Sequence, residues 1–329
     1  MKVNDMSERN EVSDIPNAGY FPFVSVIIPT YNCEAYIRLC IESVLESDYP
    51  SDRLEIVVVD NMSTDSSATV AGGYNVRVIK STARTIAKVR NDGVQVAKGE
   101  ILAFVDSDCQ IPKKWISTAV KLLSRPQVGM VGAGYRVPPD AAWVEKAWLY
   151  EAKNQEKSVS FLPSGNMIVT TGLFKDLNGF DESLVTCEDA DLCERAVKKG
   201  VVLLNSSDLQ SIHLRNPKTL LQFFLKEKWY GFNTAISIKN GKFDMVFLFT
   251  LIFFVLHFLL LFLPSSFSVA ILVLIFVLIN IAVFYRLSIS KKFTQYLSLL
   301  VLYYVYFCAR GIGSVSYLKC ILWGNHHEA

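Results

Sequence analysis

Ile101-Leu-Ala-Phe-Val-Asp-Ser-Asp108 runs five apolar residues directly into a pair of carboxylates. The run has the length of a strand buried on both faces, and Asp106 and Asp108 stand at its C-terminal end. The same layout recurs upstream. Phe23–Ile28, Glu55–Val59 and Val76–Ile79 read as further strands rich in branched residues. Between them, Glu34–Glu46 sets Ile37, Ile41, Val44 and Leu45 at helical spacing, and helical patterns also fall near Ser66–Ala71 and Thr85–Ala97. Strands alternating with helices predict an α/β fold, a largely parallel sheet with helices on its faces. Such sheets bind ligands beyond the C-terminal ends of their strands.

Three of those ends are polar. The first strand leads into Pro29-Thr30-Tyr31-Asn32, the second into Asp60-Asn61-Met62-Ser63-Thr64-Asp65, and the fourth into Asp106-Ser107-Asp108. Turn and capping chemistry alone accounts for Asn32, Ser63 or Asp65 as well as ligand binding does. The aspartate pair is different, because two adjoining carboxylates repel and are costly to bury unpaired. A hard divalent cation, Mg2+ or Mn2+, resolves the conflict by taking carboxylate oxygens together with substrate phosphates. No Gly-x-Gly-x-x-Gly follows the first strand and no Gly-x-x-x-x-Gly-Lys-Ser/Thr occurs, which excludes the usual dinucleotide and P-loop sites. Gly72-Gly73 reads as a helix stop.

The 329 residues are 51% hydrophobic and 19% charged, and the apolar ones gather at the C-terminus. Residues 239–329 carry seven basic and two acidic side chains, whereas 1–238 is mildly acidic. A net charge of +2 gives no reason to expect a nucleic-acid partner. Seven scattered cysteines without a Cys-x-x-Cys pair predict free thiols rather than a disulfide framework or structural zinc. The polar tail, 1–22, lacks the apolar core of a signal peptide.

Met245–Leu263 and Phe267–Tyr285 are free of charge, and each is long enough to cross a bilayer as a helix. Pro264-Ser265-Ser266 joins them as a tight hairpin. Lys239 and Lys242 precede the pair, and Arg286, Lys291 and Lys292 follow it, which puts both outer ends and the soluble part in the cytoplasm. Tyr296–Trp323 reads as a helix in the membrane interface, with a third span as the alternative. His257 and Asn280 inside the spans are expected to make a polar contact between the two helices.

Taken in order, several blocks resemble the family 2 glycosyltransferases, the inverting enzymes of GT-A fold. They are Ser25-Val-Ile-Ile-Pro-Thr-Tyr-Asn32, Val57-Val-Val-Asp60, Ala87-Lys-Val-Arg90-Asn91-Asp-Gly93, Asp106-Ser-Asp108, Gly165-Asn166-Met167, Gly179-Phe180-Asp181-Glu182 and Glu188-Asp189-Ala-Asp191-Leu192-Cys-Glu-Arg195. The resemblance covers roughly residues 23–215. It implies a Rossmann-like mixed sheet over a catalytic domain of 23–216. After it come an amphipathic helix and linker, 217–244, and the membrane segments, 245–329. It further implies that Pro29, Tyr31 and Glu34 cradle a nucleotide and that Asp60 holds the base, usually uracil. Arg90 and Asn91 then lie near the pyrophosphate and base. Asp106 with Ser107 touches the ribose or a metal-bound water, and Asp108 holds Mn2+ or Mg2+. Gly165, Asn166 and Trp229 fall in the acceptor region. Asp189 matches the catalytic base, with Glu188 beside it. His213 is a further metal ligand or a packing histidine.

The implied chemistry is single displacement. A carboxylate accepts the acceptor hydroxyl's proton while the cation stabilises the departing diphosphate. Asp191 and Arg195 read as an i, i+4 pair on a solvated helix. Leu225-Lys-Glu-Lys228-Trp229 stands where processive members carry Gln-x-x-Arg-Trp, so transfer of one sugar from a nucleotide-diphospho-sugar to a membrane-associated acceptor is expected. Lys218–Lys239 mixes lysines with Leu221, Phe223, Leu225, Trp229 and Tyr230, the pattern of a helix resting on a bilayer. Such a transferase serves polysaccharide or lipid-linked oligosaccharide synthesis at a bacterial inner membrane. The alternatives are a polyprenyl-phosphate glycosyl synthase and an inactive membrane scaffold that keeps the pocket.

Overall fold

The computed structural model describes residues 20–149, 156–239 and 245–323, with the side chains of 232–239 and 317–323 set aside. The polar tail before Tyr20 and the linker 240–244 lie outside the described residues. The chain forms two compact units, Met1–Gly134 with Asn154–Ser211 and Tyr135–Lys153 with Ile212–Ala329.

The first unit begins with β1 (Val24–Thr30), α1 (Ile37–Leu45), β2 (Leu54–Asp60), α2 (Ser67–Gly72), β3 (Arg77–Lys80), α3 (Ile86–Val96) and β4 (Ile101–Val105). It continues through β5 (Cys109–Gln110), α4 (Trp115–Leu123) and β6 (Val128–Gly132). The chain then supplies β7 (Tyr135–Arg136) and α5 (Trp143–Trp148) to the second unit. It returns with β8 (Lys157–Val159), β9 (Asn166–Thr170), α6 (Thr171–Asp176), α7 (Glu188–Lys198) and β10 (Val202–Asn205). β11 (Ser211–His213) leads into the remaining helices: α8 (Leu220–Lys239), α9 (Met245–Phe262), α10 (Ser268–Ser290) and α11 (Tyr296–Trp323).

Eight strands form one sheet in the order β3-β2-β1-β4-β9-β6-β10-β8. β3, β2, β1 and β4 are parallel, as the alternating pattern predicts. β9 breaks the parallel run by pairing antiparallel with both β4 and β6. The sheet is therefore mixed, in keeping with the GT-A expectation rather than with a largely parallel one. Between β6 and β9 the chain runs through β7, α5 and β8, a connection long enough to bring β9 back in the opposite direction between β4 and β6. β1 and β4 are buried along their whole length, so they read as continuous apolar runs. α3 lies unusually close to β1 and β2: a Cβ at Gly93 would stand 2.6 Å from Ile27 Cγ2 and 2.9 Å from Val59 Cγ2. Phe104, Phe174 and Phe180 meet with ring centroids 5.2 to 5.5 Å apart and close the core under α7.

Among the described residues of the second unit three helices are long and apolar enough to cross a membrane: Met245–Phe262, Ser265–Ser290 and Phe293–Ser316. α9 and α10 are the expected hairpin, joined through a short 3₁₀ turn. His257 and Asn280 do not bond each other. The His257 ring faces the Tyr304 hydroxyl at 3.4 Å, and Tyr296 donates to Asn280 Oδ1 at 2.6 Å, so each hairpin helix is tied to α11 instead. α11 packs most extensively on α8. α8 buries Phe223, Glu227 and Gly231 and exposes Leu221, Leu225 and Trp229. A charged residue inside and apolar residues outside is the arrangement expected of a helix that meets lipid. The inward Glu227 is paired with Arg310 Nε at 2.9 Å.

Candidate active site

The parallel register aligns the strand ends. Thr30 of β1 sits beside Asp60 of β2, and Asp60 beside Lys80 of β3. Asp60 is 3% exposed, and its Oδ1 accepts the Ser63 N–H at 3.4 Å. The loops after β1 and β2 are stitched together. Asn32, held at φ 45°, accepts the Thr64 N–H at 2.8 Å and donates its own N–H to Ser63 Oγ. Glu34 accepts the Ser66 N–H at 2.9 Å, while Asp65 accepts the Glu34 N–H at 3.1 Å. Glu34 thus shapes the loop. Pro29 is buried behind it and Tyr31 is exposed on it.

β4 delivers Asp106, whose N–H donates to the Gly165 carbonyl. Arg90, on α3 and only 3% exposed, spans the site. One guanidinium nitrogen donates to Asp106 Oδ1 and the other to Glu188 Oε1, both at 2.8 Å. Its buried Nε has no hydrogen-bond partner. The sequence places Arg90 beside the pyrophosphate, but here both forks of the side chain grip carboxylates. Neighbouring Asn91 pins the loop before α7, exchanging hydrogen bonds with the Phe180 backbone and reaching Glu182 at 3.0 Å. Gly179 in that loop has φ +66°, a conformation glycine adopts freely.

α7 opens on Glu188 and Asp189, after Cys187 at φ 66°. Ser164, a residue that no sequence pattern singled out, joins the two. Its hydroxyl donates to Glu188 Oε1 at 3.1 Å and its N–H to Asp189 Oδ2 at 3.3 Å. Its position directly before Gly165-Asn166 was the available signal. Burial and the neighbouring Glu188 charge raise the Asp189 carboxyl above its ordinary value, against the N–H groups of Ser164 and Ala190 and the charge of Arg90. Asp191 and Arg195 pair on the helix surface as expected, at 2.5 Å.

Asn166 is fully buried. Its amide accepts from Trp115 Nε1 at 2.9 Å and donates to the Leu209 carbonyl at 2.8 Å, so it holds the core behind the site rather than facing an acceptor. Ser107 and Gly165 are buried and Asp108 is partly exposed. Trp229 and His213 belong to the second unit, Trp229 exposed on α8 and His213 packed edge-on against Tyr135.

Asp106 and Glu188 share the Arg90 guanidinium, and Asp108 follows Asp106 at the same strand end. The carboxylate oxygens of Asp106 and Asp108 are of the kind that suits a hard divalent cation.

Residues 25–175 match the family model described as glycosyl transferase family 2. This stretch, just under half of the chain, carries the family 2 glycosyltransferase pattern. Glycosyltransferase AglE of Haloferax volcanii is 28% identical over 207 residues, 60% of this chain and 68% of its own length. A Methanococcus voltae protein is 23% identical over 325 residues, 92% of this chain and 98% of its own. Its name is dolichyl N-acetyl-alpha-D-glucosaminyl phosphate 3-beta-D-2,3-diacetamido-2,3-dideoxy-beta-D-glucuronosyltransferase. Among solved structures, the mannosyltransferase PcManGT of Pyrobaculum calidifontis, described with GDP-Man and Mn2+, shares the fold. Its TM-score is 0.54 at 21% identity, over 94% of this chain and 89% of that one.

Proposed function

We propose that this glycosyltransferase inverts the anomeric centre as it moves one sugar from a nucleotide-diphospho-sugar, with UDP as the nucleotide, to a membrane-associated acceptor. The observation that carries the reading is the Arg90-bridged cluster, which sets Asp106 and the Glu188–Asp189 pair about one guanidinium at the strand ends. Asp60 takes the base, Tyr31 flanks it, and Asp106 with Ser107 receives the ribose. Asp106 and Asp108 would hold Mn2+ or Mg2+, which when bound stabilises the charge gathering on the departing diphosphate. Asp189 takes the proton from the acceptor hydroxyl; burial and the Glu188 charge raise its proton affinity, which strengthens it as a base. Three helices long and apolar enough to cross a membrane, among the described residues, support a membrane location. The full-length likeness to the Methanococcus voltae protein, whose name specifies a dolichyl-linked sugar phosphate, supports a lipid-linked acceptor in glycan synthesis.

The test uses purified full-length protein with Mn2+ and UDP-glucose, UDP-N-acetylglucosamine and GDP-mannose in turn, reading donor hydrolysis. Hydrolysis of one donor, lost in Asp189→Asn, is the expected result. Binding of a nucleotide-sugar without turnover under every condition would return the protein to a scaffold role.

A further inference from the structure

We propose that Arg90 and Glu188 are positioning residues that set the proton affinity and aim of Asp189, with Ser164 as the link between the two carboxylates. The proposal rests on Asp189 being the base. Three hydrogen bonds form the chain: Arg90 to Glu188 Oε1 at 2.8 Å, the Ser164 hydroxyl to the same oxygen at 3.1 Å, and the Ser164 N–H to Asp189 Oδ2 at 3.3 Å. Glu188 is 6% exposed and engaged twice on one oxygen, so it is not placed to take a proton from a bound hydroxyl. Asp189 is half-buried and keeps an accessible side. The two carboxylates, adjacent in sequence, therefore divide the work: one is spent inside and the other faces outward.

The charged and titratable groups acting on Asp189 oppose one another. Glu188, on the same helix, raises its proton affinity, and Arg90, from α3, lowers it. The Cys193 thiol, a turn further along α7, is itself pushed up by burial and then by Asp189. Asp106 reaches the set only through Arg90, whose second nitrogen it holds. The Arg90 guanidinium, shared between Asp106 and Glu188, opposes the effect of Glu188 on Asp189. It also fixes the start of α7, where Cys187 at φ 66° turns the chain into the helix.

The experiment measures the pH dependence of hydrolysis of whichever of UDP-glucose, UDP-N-acetylglucosamine or GDP-mannose the wild-type protein cleaves fastest. Glu188→Gln should move the acid limb to lower pH and Arg90→Met to higher pH, each on the order of one pH unit for a charge at this range. Arg90→Lys, which keeps the charge without the two-pronged reach, should return the limb toward wild type. General structural damage does not produce shifts of opposite sign. Limbs that do not move, or move the same way, while Asp189→Asn is inactive would overturn the proposal alone. Hydrolysis by Asp189→Asn at the wild-type rate would remove the base, and this proposal with it. If Arg90→Met does not fold, the comparison of Arg90→Lys with Glu188→Gln decides, and an unmoved Glu188→Gln limb overturns the proposal.

Discussion

The guanidinium of Arg90 and the carboxylate of Glu188, 98 residues apart in sequence, meet at 2.8 Å with both side chains nearly sealed from solvent. Removing one partner of such a pair leaves an uncompensated buried charge, which costs about 3–5 kcal/mol. Arg90→Met should therefore lower the unfolding free energy of the protein by about that amount, with Arg90→Lys recovering part of it. Chemical unfolding of the purified protein reads the difference. A loss under about 1 kcal/mol would show that the pair is no more than a surface-type contact.

Gly93 marks where α3 presses on the sheet. A methyl group there must displace Ile27 and Val59, which are fixed in β1 and β2. Gly93→Ala should cost about 1–3 kcal/mol by overpacking, despite alanine's better helix propensity. Gly172 in α6 is the internal control, since a Cβ there meets nothing within 4 Å. Gly172→Ala should be neutral or stabilising by about 0.5–1 kcal/mol. Equal melting temperatures for the two variants would refute the close-approach reading.

The parallel half of the sheet was legible because β1, β2 and β4 are buried on both faces and end on polar residues in register. β4 appears in the structure with the same bounds as in the sequence reading. β9 was not legible as a strand, because Asn166–Thr170 carries no alternation and its direction is set by pairing with β4 and β6. The carboxylates of the site were found from their motifs. What each side chain does was not, because partners such as Ser164 and Arg90 are distant in sequence and their bonds depend on tertiary placement. Asn166 shows this most plainly: its motif marks a functional stretch, yet its amide is consumed inside the core.

α11 bears on topology. Tyr296 bonds Asn280, midway along α10, whereas Tyr303 and Tyr306, further along α11, meet Trp148, which Arg286 near the end of α10 also overlies. α11 also runs alongside α8, where Glu227 pairs with Arg310 and Ser314 donates to the Gly231 carbonyl. We propose that α11 follows α8 in the membrane interface and that Ala329 is cytoplasmic. Reporter fusions after residue 240 and at Ala329 should both read cytoplasmic; a reading on the opposite side at Ala329 would make Phe293–Ser316 a third span.

Donor hydrolysis should require Mn2+ or Mg2+, and Asp108→Ala should abolish it, since this carboxylate is one of those proposed to hold the cation. His213→Ala should weaken the metal requirement less, seen as a higher Mn2+ concentration at half-maximal rate. Undiminished hydrolysis in excess EDTA would rule out the cation. An unchanged Mn2+ titration for His213→Ala would leave that side chain a packing partner of Tyr135.

Asp189 should oppose folding where it serves chemistry. Burial first, and Glu188 second, hold its proton affinity above the ordinary carboxylate value of 3.8. A carboxyl whose folded pKa is raised contributes stability below the unfolded pKa, and that contribution is lost as pH rises through the folded value. At neutral pH the charged Asp189 is thus an expense to the fold, which the proposed role as base would explain. Asp189→Asn keeps the shape and can still accept an N–H from Ser164 or Ala190, but carries no charge. It should unfold at an equal or higher temperature than wild type at pH 7 while losing transfer, a loss of ~10²–10⁴ in rate for a general base. The stability gap should shrink as the pH falls toward the ordinary carboxylate range, where Asp189 is protonated in both folded and unfolded chains. Thermal unfolding of both proteins at pH 7 and near pH 4 tests this. A variant markedly less stable than wild type at pH 7 would mean that the Ser164 and Ala190 hydrogen bonds to the charged carboxylate outweigh its burial.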